Sequence, residues 1–153
     1  MKYLKTFEDY EEDDFDNIDA EENEYLYIKP SQIKGAGQGL FTSMDIYKGE
    51  IIAYYKGEHL DDDEAKRRAD ANEDQYFVVL LDGSILDAKN TECFGRYAND
   101  AEGIPGSGFK NNAKISLDDN DDVCLVATKN IKADEEIFLP YGKKYWNKHK
   151  KEI

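Results

Sequence analysis

Three separated groups of residues have the types and spacing needed for chemistry on a bound ligand. The first is a glycine-dense turn between two apolar segments, formed by Lys34, Gly35, Ala36 and Gly37. Because glycine has no Cβ, such a turn lets the backbone approach a ligand closely. On its own, however, a turn of this kind more often only connects two strands. Its interpretation therefore depends on the two groups that lie downstream.

The second and third groups place an asparagine and a tyrosine in short ordered motifs. They read Arg96-Tyr97-Ala98-Asn99-Asp100 and Phe138-Leu139-Pro140-Tyr141-Gly142. Taken alone, an asparagine such as Asn99 is more often a turn former, and a tyrosine such as Tyr141 is more often an ordinary core residue. The fixed order of all three groups along the chain is what makes them informative.

Composition predicts one folded domain. The chain has 153 residues, 40% of them hydrophobic, with eleven tyrosines and seven phenylalanines, and this length supports a sizeable core. No apolar run approaches the roughly 20 residues that a membrane span needs. The N-terminus is acidic where a signal peptide requires basic and then apolar residues. We therefore expect a soluble, intracellular protein with no membrane partner.

The net charge of −14 is concentrated at the N-terminus. Residues 1–24 hold eleven acidic residues and two lysines, which predicts an acidic, disordered tail ahead of a domain at residues 25–153. The tail is either only solvated, or its negative charge raises the local concentration of a basic partner. Direct binding of nucleic acid is disfavoured, because phosphate binding requires a net basic face.

Cysteine and histidine spacing gives no indication of a metal site. Cys93 and Cys124 are 31 residues apart without a nearby companion, and His59 and His149 lack ligand-like spacing. A zinc cluster or a disulfide framework requires more than this. We expect free, buried thiols and no bound metal.

The pattern of apolar runs and turn residues predicts a β-rich α+β fold. An extended segment is expected at residues 25–29, and the Asp82-Gly83 pair gives the strongest hairpin signal. Further strands are predicted at residues 39–43, 50–56, 75–81, 84–87, 113–117, 123–128 and 135–139. Helices are predicted at residues 61–72 and 142–150, with a short helical turn at 91–97 and an irregular loop at 101–110.

Over about residues 25–146 the ordered motifs resemble the SET-domain family of protein lysine methyltransferases. The matching elements are Gly35-Ala36-Gly37, Tyr55-Lys56-Gly57-Glu58, Asp87-Ala88, Arg96-Tyr97-Ala98-Asn99-Asp100, Ala133-Asp134-Glu135-Glu136 and Tyr141-Gly142. The resemblance implies the SET fold, which has several short-stranded sheets and a knot-like C-terminal segment. It also implies S-adenosylmethionine as the methyl donor.

The resemblance carries site roles over to individual residues. Tyr141 is implied as the catalytic tyrosine that orients the amine and the methyl group, and Tyr55 as a tyrosine of the lysine channel. Trp146 either stacks on the adenine or packs the last helix. The residues implied in cofactor binding are Lys34, Gly35, Ala36, Gly37, Tyr76, Arg96, Tyr97, Asn99, Asp100, Tyr141 and Trp146.

The implied substrate is a basic protein or peptide, with a histone tail favoured, which would place the protein at chromatin in the nucleus. A non-histone lysine substrate is a rival. Free lysine has a pKa near 10.4, so well under about one part in a thousand is neutral at pH 7. An enclosed aromatic channel and a nearby sulfonium disfavour the charged form, and the reaction then requires alignment more than a strong base.

Two positions depart from the family pattern. Asp100 stands where the family has histidine, and Leu139 stands where it often has tyrosine or phenylalanine. Leu139 indicates room for several methyl groups unless another tyrosine, for example Tyr97, fills the space. The loop Ala101–Lys110 is inserted before Asn111-Asn112, whose asparagine is expected to act as an anchor. These departures keep a second rival open, an inactive SET-like interaction module.

Overall fold

A computed structural model describes residues 2–3, 15–80 and 82–141, with the backbone alone at residues 2–3. The predicted helix at 142–150 and Trp146 lie outside the described residues. The strands are β1 (Lys2–Tyr3), β2 (Asp16–Asn17), β3 (Leu26–Pro30), β4 (Gln38–Thr42), β5 (Glu50–Tyr54), β6 (Glu58–Leu60), β7 (Phe77–Val79), β8 (Ile85–Asp87), β9 (Ala113–Leu117), β10 (Val123–Ala127) and β11 (Glu136–Ile137). The helices are α1 (Glu22–Tyr25), α2 (Asp62–Asp70) and a 3-10 helix (Phe94–Tyr97).

The strands form three small sheets. Their orders are β1-β7-β8-β6, β2-β5-β10-β9 and β11-β4-β3. Turn chemistry sets the hairpins: Gly83 takes a φ of 84° between β7 and β8, and the Asp118 carboxylate accepts the Asn120 and Asp122 amides at 2.9 Å between β9 and β10. The predicted β-rich α+β class, α2 and these hairpins are confirmed. Strand β6 was not expected from the sequence.

The largest hydrophobic core lies between the sheets and includes candidate site residues. Strand β10 is buried along its whole length, and Leu125 is fully inaccessible beside Ile52 and Leu40. Tyr55 and Tyr141 belong to the same cluster. Their rings are therefore fixed by core packing.

The N-terminal segment differs from the expected disordered tail from residue 15 onward. Strand β2 pairs in parallel with β5, and the boundary predicted between residues 24 and 25 falls inside α1. Here the acids have structural partners, because Glu21 and Glu24 form a capping box and Glu22 accepts the Tyr54 amide at 3.2 Å. A carboxylate at a helix N-terminus satisfies otherwise unpaired amides.

A buried ion-pair network joins α2 to β6 and β8. The Arg68 guanidinium donates to Asp87 and Glu64 at 2.8 Å and to Glu58 at 3.2 Å. The Asp87 side chain is fully inaccessible and that of Arg68 is 11% exposed. Hydrogen bonds from Arg67 and Arg68 lower the pKa of Glu64 to about 2. The network fixes Asp87, and with it the chain that follows β8.

We expect Arg68→Ala to destabilise the fold strongly, because it leaves the buried Asp87 carboxylate without its cation. The free energy of unfolding should fall by about 3–5 kcal/mol, measured by urea denaturation. Lys66→Ala is the matched control, since the Lys66–Asp70 pair on the same helix has side chains 75% and 66% exposed. Its loss should cost less than about 1 kcal/mol. Equal effects of the two variants would contradict the role of the network.

Candidate functional site

The glycine turn connects β3 to β4 and presents its backbone to open space. Gly35 and Gly37 have φ values of 82° and 71°, a region that favours glycine. No atom lies within 4 Å of where a Cβ on Gly37 would stand. The glycine at this position is therefore needed for its backbone conformation, and the space in front of it is free for a ligand.

A buried carboxylate holds the base of this turn. Glu136 is 2% exposed, and its two oxygens accept the Ser31 hydroxyl at 2.7 Å and the Gln32 amide at 2.8 Å. Gly39 leaves room for it, since a Cβ there would collide with the carboxylate. The sequence placed Glu136 in a family motif but assigned it no role. Its partners lie more than 100 residues away, so spacing gave no signal.

The inserted loop packs against the other side of the turn. A second apolar cluster unites Ile33 and Ala36 from the turn with Ala101 and Ile104 from the loop, around Phe138. The insertion at residues 101–110 is therefore structural support for the turn.

Asn99 lies next to the glycine turn, as the motif order requires. Its side-chain amide donates to the Gln38 carbonyl at 2.9 Å, and Gln38 directly follows the turn. Its backbone carbonyl accepts the Leu139 amide at 2.9 Å. Asn99 belongs to the second motif and contacts both the residue after the first motif and a residue of the third, so all three meet at Asn99.

The Asp100 carboxylate is used within the protein. It is 3% exposed and accepts the Tyr141 amide through Oδ2 at 2.9 Å. Its Oδ1 accepts the Gly103 amide and the Asn111 side chain, each at 2.9 Å, and the Glu102 amide at 3.1 Å. The residue that departs from the family pattern is therefore an anchor for both the inserted loop and the catalytic candidate. The sequence left open which asparagine of the Asn111-Asn112 pair is the anchor; Asn112 accepts the Phe138 amide at 2.9 Å and donates to the Glu136 carbonyl at 3.0 Å.

The two candidate catalytic tyrosines have fixed hydroxyl groups. Tyr141 donates its hydroxyl to the Ala98 carbonyl, and Tyr55 donates to the Tyr76 carbonyl at 2.9 Å. Burial raises the pKa of Tyr55 well above its ordinary value, and nearby Cys93 and Tyr141 raise it further. The Tyr55 hydroxyl therefore stays protonated and acts as a neutral hydrogen-bond donor.

The Arg96 guanidinium lies beside two aromatic rings, and its Nε–H group makes no hydrogen bond to the described part of the chain. Its guanidinium carbon is 4.4 Å from the Tyr76 ring centroid and 5.4 Å from that of Tyr97, distances typical of cation–π contacts. The Arg96 Nε is buried and has no hydrogen-bond partner among the described residues. The Tyr97 hydroxyl donates to the Glu92 carboxylate at 3.0 Å, so this hydroxyl already has a partner.

The side chain of Leu139, at the position where the family often has tyrosine or phenylalanine, is fully buried.

A cavity of about 490 Å³ opens beside Tyr97. Three carboxylates, Glu21, Glu22 and Glu92, line it together with one cation, Lys56. Burial raises the pKa of Glu22. Cys93 also lines the cavity and is a half-buried free thiol. Cys124 is a fully buried free thiol that does not line it. The cavity combines acidic groups with apolar walls next to the 3-10 helix.

The family model of the SET domain matches residues 37–142 of this chain. The chain belongs to the SET-domain family. The match includes Gly37, Tyr55, Asn99 and Tyr141. Within this family the described structure gives the expected architecture, several small sheets with few helices.

The chain is similar to parts of much longer curated proteins. It is 32% identical over 139 residues to the histone-lysine N-methyltransferase EZH2 of Chaetomium thermophilum, covering 82% of this chain and 9% of that protein. It is 29% identical over 124 residues to the N-lysine methyltransferase KMT5A-A of Xenopus laevis, covering 75% of this chain and 36% of that protein.

Two solved structures have a fold similar to that of this chain. A humanized mutant of the Chaetomium thermophilum Polycomb Repressive Complex 2 bound to the inhibitor GSK126 has a TM-score of 0.64 and 31% identity, covering 76% of this chain and 15% of that chain. A structure of ctPRC2 in an autoinhibited conformation bound to S-adenosylmethionine has a TM-score of 0.60 and 31% identity. The match covers 77% of this chain and 15% of that chain.

The described residues show neither a cluster of metal ligands nor a helix that could span a membrane. Among residues 15–80 and 82–141, no three His, Cys, Asp or Glu side chains are grouped as a metal site would require. No helix in this part of the chain is long and apolar enough to cross a membrane.

We expect Asp100→Ala to destabilise the site region, because it leaves the Tyr141, Glu102 and Gly103 amides without their acceptor. The free energy of unfolding should fall by about 2–4 kcal/mol, as for buried hydrogen bonds to a charged group. Asp45→Ala is the control, because the Asp45 carboxylate is exposed and accepts a single backbone amide, that of Ala133. Its loss should cost about 1 kcal/mol or less. A neutral effect of Asp100→Ala would contradict the anchoring role.

Proposed function

We propose that this protein is an S-adenosylmethionine-dependent protein lysine N-methyltransferase. The observation that supports it most is the junction at Ala98–Asn99. There Asn99 contacts the residue after the glycine turn, and the preceding carbonyl accepts the Tyr141 hydroxyl. A backbone turn open to a ligand, an asparagine amide and a fixed tyrosine hydroxyl are thus brought to one place.

The residues present suit the methyl donor. We assign the backbone of the exposed residues Lys34, Gly35 and Gly37 and the Asn99 side chain to its methionine end, where neutral N–H and C=O groups match a zwitterion. Ala36 in the same turn is buried in the second apolar cluster, and its amide is bonded to the Ile33 carbonyl. Arg96 offers a buried Nε donor that has no partner within residues 15–80 and 82–141 and could meet an anionic group, and Tyr76 and Tyr97 offer flat apolar faces beside it. When bound, S-adenosylmethionine supplies an electrophilic methyl group on a sulfonium.

The protein's own residues then prepare the lysine. Tyr55 and Tyr141 are buried aromatic side chains with hydroxyl groups held by backbone carbonyls, so they form rigid walls. Removing an ammonium from water favours its neutral form, and alignment of the amine with the methyl group lowers the barrier by several kcal/mol. A strong general base is not required, since water can accept the proton.

The substrate class we propose is a basic segment of a protein. The net charge of −14 and the three carboxylates of the cavity beside Tyr97 attract cationic peptides. The names of the relatives favour a histone tail, in which case the protein acts in the nucleus at chromatin. A non-histone lysine is the alternative. The alternative of an inactive interaction module is less well supported, because the Asp100 carboxylate, which departs from the family pattern, accepts the amide of Tyr141.

We expect Glu136→Gln to weaken binding of S-adenosylmethionine by about tenfold, because an amide in place of the carboxylate weakens its hold on Ser31 and Gln32 at the base of the turn. Isothermal titration calorimetry measures the dissociation constant of the donor. Glu135→Gln is the control, as Glu135 is the exposed neighbour of Glu136 and should bind the donor normally. If both variants bind the donor equally well, Glu136 does not position the turn.

We expect Tyr141→Phe to bind S-adenosylmethionine normally but to lower kcat by about 100-fold or more, the effect of losing one positioned hydrogen-bond donor. Methyl transfer is measured by mass spectrometry on lysine peptides and histones. Tyr47→Phe is the control, since Tyr47 is 59% exposed. Unchanged turnover in Tyr141→Phe would show that another residue orients the amine. If the unmodified protein does not bind S-adenosylmethionine, the proposed methyltransferase activity is wrong.

A further inference from the structure

The carbonyl that holds the Tyr55 hydroxyl has a second donor. The Tyr76 carbonyl accepts the Tyr55 hydroxyl at 2.9 Å and the Ala88 amide at 3.2 Å. A carbonyl oxygen has two lone pairs, so it can accept both at once. Tyr55 and Ala88 are both buried. The direction in which this carbonyl points therefore depends on where the chain holds Ala88.

One buried carboxylate fixes the backbone on both sides of Ala88. Asp87 accepts the Arg68 Nη1 through its Oδ2 at 2.8 Å and the Lys89 amide through its Oδ1 at 3.0 Å. Asp87 is fully inaccessible to solvent, and a buried charge requires its cation and its donors to stay in place. The position of this carboxylate therefore follows that of the guanidinium.

The same guanidinium also binds the segment that carries Tyr55. Glu58, three residues after Tyr55, accepts the Arg68 Nη2 at 3.2 Å and the Arg68 Nη1 at 3.3 Å. One side chain on α2 thus holds the segment of the hydroxyl donor through Glu58, and it holds the support of the carbonyl acceptor through Asp87.

The strands between these groups are in direct backbone contact. Glu58 lies opposite Asp87 in the β6–β8 pair, and Asp87 lies opposite Phe77 in the β8–β7 pair. A Cβ on Gly57 would collide with the Asp87 carbonyl, so no space separates the two chains there. Because packed protein interiors transmit strain, a displacement of Asp87 also moves its neighbours on both sides.

A guanidinium suits these contacts and an ammonium does not. Arg68 uses Nε for Glu64, Nη1 for Asp87 and Nη2 for Glu58. The guanidinium presents its donors in a planar, rigid fork, whereas a lysine ammonium is a compact charge on a flexible stem. Lysine at position 68 therefore keeps the charge beside Asp87 but does not fix the three carboxylates in the same geometry.

We propose that Arg68 is a positioning residue for methyl transfer, which aligns the Tyr55 hydroxyl and the Tyr76 carbonyl through Glu58 and Asp87. This inference rests on the proposed function, in which Tyr55 is a wall of the lysine channel. Arg68 acts on turnover and leaves the affinity for S-adenosylmethionine unchanged, because the glycine turn and Asn99 belong to other elements.

The test compares Arg68→Lys with Arg67→Lys, the same substitution one residue earlier on α2. Arg67 is the matched control because its side chain is 60% exposed and its hydrogen bonds go to Glu64. Each substitution is made alone and together with Tyr55→Phe, which removes the hydroxyl and keeps the ring. All variants are assayed at a temperature at which urea denaturation shows them to be folded.

Three quantities are measured for each variant. They are the kcat with the best substrate of the lysine-peptide panel, the dissociation constant of S-adenosylmethionine, and hydrogen exchange of the Ala88 amide. In Arg68→Lys we expect kcat to fall about tenfold, since a small misalignment near the reacting atoms is costly. Donor affinity should be unchanged and exchange at Ala88 should be faster. Arg67→Lys should match the unmodified protein in all three.

The Tyr55→Phe background separates positioning from a general loss of stability. If Arg68 acts through the Tyr55 hydroxyl, Arg68→Lys should lower kcat by less than about twofold once that hydroxyl is gone, because coupled residues have non-additive effects. An equal proportional loss in both backgrounds would show that Arg68 only stabilises the fold and would overturn the proposal. Unchanged kcat in Arg68→Lys alone would also overturn it.

Glu58→Gln gives a second, milder route to the same answer. The Glu58 side chain is 43% exposed, so the fold should tolerate the change, and this variant enters the comparison if Arg68→Lys does not fold. We expect kcat to fall about threefold, since a neutral acceptor binds the guanidinium less strongly than a carboxylate. The loss should again be absent in the Tyr55→Phe background, and a loss of the same size there would count against the proposal.

The two proposals fail in different ways. Exchange at Ala88 reports on the network without any methyl transfer. If it changes as expected while the unmodified protein neither binds S-adenosylmethionine nor methylates a lysine, the network holds the Tyr55–Tyr76 contact and the methyltransferase function is wrong. If the unmodified protein methylates lysine and Arg68→Lys has the same kcat, the function is supported and the positioning role is wrong.

Discussion

The segment Ala98–Asp100 lies directly against the segment Phe138–Tyr141, and the rest of the site depends on this contact. Asn99 and Phe138 form a parallel bridge, the Asn99 carbonyl accepts the Leu139 amide, and the Asp100 carboxylate accepts the Tyr141 amide. Two chain segments about 40 residues apart are thus joined by a backbone hydrogen bond and by a bond from a backbone amide to a carboxylate. If they separated, the asparagine and the tyrosine would no longer share one site.

Two buried carboxylates stabilise this arrangement from opposite sides. Glu136 holds the base of the glycine turn, and Asp100 holds the inserted loop and Tyr141. A buried charge is costly unless hydrogen-bond donors satisfy it, and here backbone amides, an asparagine amide and a hydroxyl supply the donors. The acids that look unusual in the sequence are therefore structural parts of the candidate site.

Local signals in the sequence predicted the local structure well. The Asp82-Gly83 turn, strands β9 and β10 and helix α2 follow from turn residues, alternating apolar residues and an acidic helix start, all within a few residues. What the sequence did not predict depends on distant partners. Strand β6 pairs with β8, β2 pairs with β5, and Ser31 donates to Glu136 across 105 residues. The motif order predicted that Asn99 and Tyr141 belong to one site, whereas their roles in binding and catalysis stay predictions.

Transfer of methyl groups to lysine is the function that we propose for this site. The most direct measurement is mass spectrometry of a histone and lysine-peptide panel after incubation with the protein and isotopically labelled S-adenosylmethionine. We expect labelled methyl groups on lysine side chains in amounts that grow with time and enzyme concentration. Saturable binding of the donor without any labelled lysine, across the whole panel, would contradict it.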